Sequence, residues 1–265
     1  MQKLILLSAL LLLFACNEQA PSTSEEPQTA ANPAADGFDL AGSDSAAIVI
    51  ADEVMEAMGG RAAWDRTHYL NWTFLSGRKL LWDKYTNRVR IDFPSQNMTL
   101  VTDIETGQGK ALVDGQEITE ADSLASLMDM AKGTWINDSY WLVMPFKLKD
   151  SGVTLTYVGP DSTQTGAMAD VLELRFEAVG VTPQNKYLIW VGQESHLMEQ
   201  WAFFANASDA EPGFTTPWRD YQSYGDILLS GDRGVRLRDG QEFPLLLPDI
   251  SVSDSVDEAL FLGVN

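Results

Sequence analysis

The fold turns on Asn87-Arg88-Val89-Arg90-Ile91-Asp92-Phe93. Val89, Ile91 and Phe93 fall on one face and Arg88, Arg90 and Asp92 on the other, which is the two-residue period of a strand with one buried side. Val171-Leu172-Glu173-Leu174-Arg175-Phe176-Glu177 repeats the pattern. Outward from these two, strands are predicted near Tyr69 to Leu75, Leu80 to Lys84, Met98 to Asp103, Lys110 to Val113 and Thr154 to Val158. Further strands are predicted near Tyr187 to Val191, Leu197 to Phe204 and Gly225 to Leu229. Asp-Gly and glycine-rich turns separate these runs at short intervals, which favours an antiparallel meander over βαβ units.

Helices interrupt the strands. Ile48, Ala51, Val54, Met55 and Met58 form one apolar face, and Gly59-Gly60 supplies a stop. Thr119 and Asp122 suggest a capping box, followed by a stripe of Leu124, Leu127, Met128 and Ala131. A separate helix is predicted from Asn137 or Asp138 through Tyr140-Trp141-Leu142-Val143-Met144, ending near Pro145. It is apolar almost all round, so it should be buried or should line a cavity.

The chain of 265 residues carries 18 Lys and Arg against 38 Asp and Glu, a net charge of −20, which repels nucleic acid. One Cys and two His exclude an internal disulfide framework and a multi-cysteine zinc site, and leave little for histidine-based metal chemistry. No cofactor is expected. Ser195 abuts His196, but neighbours on a strand point to opposite faces, the wrong arrangement for a nucleophile and its base. No Gly-x-Ser-x-Gly elbow is present. Paired carboxylates are available throughout so acidic a chain, and a carboxylate-based hydrolase is the weakest of the functional readings.

The single cysteine closes a leader. Lys3 is followed by an apolar run from Leu4 to Phe14, too short to span a bilayer, and Ala15 precedes Cys16. Leu13-Phe14-Ala15-Cys16 resembles the bacterial lipobox, so residues 1–15 are expected to be a lipoprotein signal peptide and Cys16 the acylated first residue. Asn17 lacks the aspartate of inner-membrane retention, which favours the outer membrane. From there to Ser45 the chain is rich in Ala, Ser, Thr, Pro and acids, and residues 16–45 read as a lipid anchor and a disordered acidic tether. The globular domain is then expected over residues 46–265.

Aromatic residues are spread over most of the predicted strands, and eight Trp is a high number for this length. Leu80-Leu81-Trp82, Leu188-Ile189-Trp190 and Trp201 to Phe204 put apolar groups on both strand faces, so the sheet must be covered on both sides or hold something apolar. The candidate cavity residues are Trp72, Trp82, Tyr140, Trp141, Met144, Trp190, Trp201 and Phe203. The alternative is a core filled by these same side chains.

Residues 46–230 resemble the lipoprotein-sorting (Lol-type) carrier group and the uncharacterised outer-membrane lipoproteins related to it. The words that carry the resemblance are Arg78-Lys79-Leu80-Leu81-Trp82-Asp83, Arg88-Val89-Arg90, Asn137 to Leu148, Asn185-Lys186-Tyr187-Leu188-Ile189-Trp190-Val191 and Trp218-Arg219-Asp220-Tyr221. The resemblance implies a mainly β (α+β) fold, an antiparallel open-barrel sheet with covering helices around an apolar cavity that admits acyl chains. Cys16 departs from the soluble carriers, which have no anchor, and makes a membrane-held binder more plausible than a shuttle. The expected function is a non-enzymatic envelope lipoprotein binding acyl chains, lipid or another lipoprotein; the alternative is a structural or interaction lipoprotein with a filled core.

Overall fold

The computed structural model describes residues 31–75, 77–177, 182–238 and 240–262. The expected signal peptide, Cys16 and the tether up to residue 30 lie outside the described residues. Helices α1 (Ser45–Ala57) and α2 (Arg61–Arg66) precede β1 (Tyr69–Thr73), β2 (Lys79–Asp83), β3 (Arg88–Phe93), β4 (Met98–Asp103), β5 (Gly109–Val113) and β6 (Gln116–Glu117). The long α3 (Ala121–Val143) leads into β7 (Val153–Ser162), β8 (Met168–Phe176), β9 (Lys186–Gly192), β10 (Met198–Phe204) and β11 (Phe214–Pro217). β12 (Arg219–Tyr224), β13 (Ile227–Arg238), β14 (Gln241–Leu246), β15 (Ser251–Ser253) and α4 (Ala259–Leu262) complete the order.

Among the described residues the strands form three antiparallel sheets. Seven strands run in the order β15-β1-β2-β3-β4-β5-β6, five in the order β11-β10-β9-β8-β7, and three in the order β12-β13-β14. None closes on itself among the described residues, so the architecture is open-sheeted with covering helices, as the resemblance implies. The alternation read in β3 is real: Val89 and Ile91 are fully buried and Phe93 nearly so. One main core joins α1 (Ala51, Val54), the seven-stranded sheet (Leu80, Ile91, Leu100), α3 (Leu142, Val143) and the five-stranded sheet (Leu155, Leu174, Ile189).

The middle of the chain differs from expectation. α3 is one helix of 23 residues where the sequence predicts two segments. Gly133 lies within it, and its cost of about 1 kcal/mol relative to alanine is outweighed by burial of Met128, Ala131, Leu142 and Val143 on either side. The cap is Glu120, not the Thr119–Asp122 box: its carboxylate accepts from the backbone N–H of Asp122 (3.0 Å) and Ser123 (2.7 Å). Pro145 does end the helix, in a 3-10 turn over Met144–Lys147. α3 approaches the seven-stranded sheet closely because Gly109 has no side chain; a Cβ there would lie 2.3 Å from Met128 Sδ and 2.1 Å from the Val101 carbonyl oxygen.

The tether boundary also shifts. Residues 31–44, expected to belong to a disordered tether, hydrogen-bond to the segment leading into β7 and to its start: Ala35 N–H to Lys149 O (2.9 Å), Asp39 N–H to Val153 O (3.0 Å) and Asp44 N–H to Leu155 O (2.9 Å). Phe38 enters the main core, and Asn32 Nδ2 donates to Asp52 at 2.7 Å. Composition misses this docking because an edge strand offers backbone partners that require no apolar period. Residues 31–44 therefore belong to the compact unit Ala31–Asn265, where the sequence reading starts the domain at 46.

Candidate ligand cavity

The inner face of the five-stranded sheet presents its side chains in cross-strand rows. Leu174, Tyr187, Phe203 and Phe214 stand opposite one another on β8, β9, β10 and β11, and Leu172, Ile189, Trp201 and Thr216 form the next row. Facing them, α3 presents Ile136, Asn137, Tyr140 and Trp141, two adjacent pairs one turn apart on a single side of the helix. A partly open cavity of about 360 Å³ remains between sheet and helix, lined by Ile136, Asn137, Tyr140, Trp141, Phe176, Thr182, Asn185, Tyr187, Phe203 and Phe214. Small-molecule sites span roughly 300–1,000 Å³ and have mainly apolar walls with a few polar groups.

The walls are held by ring contacts. Trp141 stacks on Phe214 with centroids 5.4 Å apart and meets Trp201 edge-on at 4.9 Å. Tyr187 stacks on Trp201 at 5.2 Å, and Phe203 on Phe214 at 5.1 Å. Trp201 is the floor behind them, fully buried, its Nε1 donating to Thr216 Oγ1 at 2.6 Å. Polar groups are few: Asn185 Nδ2 donates to Thr182 Oγ1 at 2.6 Å, and Asn137 Nδ2 to Asp138 at 2.9 Å. Burial pushes Tyr187 up to about 12, against a hydrogen bond with Asn185 that lowers it. Burial likewise raises Tyr140 well above the ordinary phenol value, and its hydroxyl has no partner among the described residues.

Two cations, one half-buried and one fully buried, hold α3 in place. Arg78 grips Asp138 through Nε (2.8 Å) and Nη2 (2.7 Å) in a bidentate pair. Arg233 is fully buried, stacks 3.5 Å over Trp218 and donates to Ser230 Oγ (2.7 Å) and to the Trp141 carbonyl oxygen. Burial pushes its guanidinium down to about 9, against the nearby Tyr221 and Asp232, which raise it.

Of the residues expected to line a cavity, Tyr140, Trp141 and Phe203 do so. Trp201 backs the wall. Trp72, Trp82 and Met144 are buried in the main core instead, Trp82 edge-on to Trp135. Trp190 belongs to the opposite face of the five-stranded sheet, in a separate buried cluster with Val171, Ala202 and Phe204. Strand parity accounts for this, since Trp190 is three residues from Tyr187 and must face the other way. Phe176, Tyr187 and Phe214 are wall residues that the sequence reading does not include; the same parity identifies Tyr187, whereas Phe214 needs the β10–β11 pairing.

The two histidines stand apart from the cavity. His68 stacks on Tyr69 and Tyr85 and meets Asp83 at 3.1 Å. His196 sits in the β9–β10 turn and pairs with Glu53 at 3.3 Å. Ser195 Oγ donates to Glu199 at 2.9 Å. No group of three or more His, Cys, Asp or Glu able to hold a metal occurs among the described residues.

An open antiparallel sheet with a long helix across its inner face and an aromatic cavity between them is the class that this geometry defines. No family model matches the chain, and no curated protein matches its sequence. Among solved structures, it is similar to a DUF1329 family protein from Desulfovibrio piger, with 12% identity over 81% of this chain and 96% of that one and a TM-score of 0.44. It is similar also to the LolA superfamily protein NE2245 from Nitrosomonas europaea, with 12% identity, 79% and 96% coverage and a TM-score of 0.41. A third likeness is to MucB, at 15% identity, 74% and 70% coverage and a TM-score of 0.25.

Proposed function

We propose that the protein is an envelope lipoprotein, held at the outer membrane through Cys16, that binds acyl chains of a lipid or lipoprotein between α3 and the five-stranded sheet without catalysing a reaction. The observation that carries this reading is the cavity of about 360 Å³ with seven apolar or aromatic walls. Each methylene moved from water into such walls contributes about 0.8 kcal/mol, so a medium-length chain binds without any strong polar contact.

Titration of a chain starting at Ala31 with methyl decanoate, followed by tryptophan fluorescence, tests the cavity. A saturable change is expected because Trp141 and Trp201 stand at its wall and floor. A flat response would favour the interaction-protein reading. Anchoring is tested separately: Cys16→Ser should leave an unprocessed precursor without the lipid mass, and normal maturation of that variant would remove the lipoprotein part of the proposal.

A further inference from the structure

Among the described residues, the lining of the cavity is uncharged. In a chain with 18 Lys and Arg and 38 Asp and Glu, none of the ten lining residues bears a charge, and both tyrosines among them are pushed further towards the neutral form. The strand alternation that builds the wall also removes the charges from it. On β8 and β9 the neighbouring Glu173, Arg175 and Lys186 all take the opposite face, where Arg175 pairs with Glu173 at 2.6 Å and Lys186 lies 4.0 Å from it. On α3 the one acid beside the lining, Asp138, is already occupied by the bidentate Arg78.

We infer that the cavity is a selectivity filter for uncharged acyl compounds, esters and amides, and discriminates against free fatty acids and cationic amphiphiles. The inference rests on the ligand reading above and adds the chemistry of the head group. A carboxylate drawn in behind its chain would leave water with no cation to meet it, and an unpaired buried ion is far costlier than a buried carbonyl that finds one hydrogen bond. Asn137, Thr182 and Asn185 supply that bond. Each side-chain amide has two N–H donors and a carbonyl acceptor, so either amide can serve an ester oxygen or an amide N–H while keeping its present contact.

The test uses four ten-carbon probes on the Ala31–Asn265 chain at neutral pH: methyl decanoate, decanamide, decanoate and decyltrimethylammonium. The ester and the amide should saturate the tryptophan signal at similar concentrations, with both ions at least tenfold weaker. Asn185→Lys should then raise the affinity for decanoate at least tenfold relative to that for the ester. Equal binding of all four would overturn the inference while leaving the binding function intact, since the heads would be staying in water at the open side. Weak decanoate with tight decyltrimethylammonium would also overturn it, because the net charge of −20, not the lining, would be selecting. Failure of every probe would instead remove the ligand reading itself.

Discussion

Trp201→Ala is expected to lower the free energy of unfolding by about 3–5 kcal/mol, the range for removing a large aromatic side chain from a packed core. The side chain is 1% exposed and touches the rings of Tyr140, Trp141, Tyr187, Phe214 and Trp218. Its loss also strands Thr216, whose hydroxyl accepts the indole N–H. Trp141→Ala should behave differently. That side chain is only half-buried at the cavity wall, so fewer contacts vanish, while the affinity for methyl decanoate should fall. Denaturant unfolding of both variants beside the wild type, with a parallel titration, separates wall from floor. A larger stability loss for Trp141→Ala would mean that the space between sheet and helix is filled in solution.

Asp138→Ala is expected to cost about 1–3 kcal/mol, because it leaves the half-buried Arg78 guanidinium without its bidentate partner. The intact pair is nevertheless not a large source of stability. Burial raises the Asp138 carboxyl above its ordinary value of 3.8, outweighing the bonds from Arg78 and Asn137 that lower it. A carboxyl with a raised folded value binds its proton more readily folded than unfolded. Its contribution therefore declines as pH rises from about its ordinary value to the raised one, and is constant above. Asp83 has the opposite sign: burial pushes it up, but hydrogen bonds from Thr86, Arg88 and Tyr85 outweigh that and hold it below 3.8. Its stabilisation is present above the ordinary value and is lost as pH falls through the depressed one. Acid unfolding curves should therefore flatten in Asp83→Asn and not in Asp138→Asn; the reverse result would reassign the acid sensitivity to the helix pair.

Strands with one buried face are legible from the order of residues alone. β3 and β4 appear within one residue of their predicted limits, since Val89, Ile91 and Phe93 alternate with charge and few other folds suit that pattern. β12 and β14 are not legible in this way, because Arg219 to Tyr224 and Gln241 to Leu246 are largely exposed and owe their strand form to backbone pairing with β13. The break predicted inside α3 shows the limit of a local signal: Gly133 weakens a helix, but packing on both sides of it decides. At the cavity, Tyr140 and Trp141 are legible from an all-apolar helix segment. Trp72 and Trp82 are not separable from wall residues, because an aromatic residue reads the same in a core as beside a cavity. Which of the two it becomes depends on rows such as Tyr187-Phe203-Phe214, and those rows exist only once three strands are in register.

If Cys16 is the anchor, the seam between residues 31–44 and β7 would set how far the domain could travel from its attachment. With Cys16 as the proposed anchor, a leash running to Ser45 would reach about 100 Å at full extension, whereas one ending at Ala31 reaches only about 50 Å. On that proposal, docking of residues 31–44 on the sheet edge would halve the radius of the volume that the domain could search. Peeling that seam open would lengthen the reach without any change in the cavity.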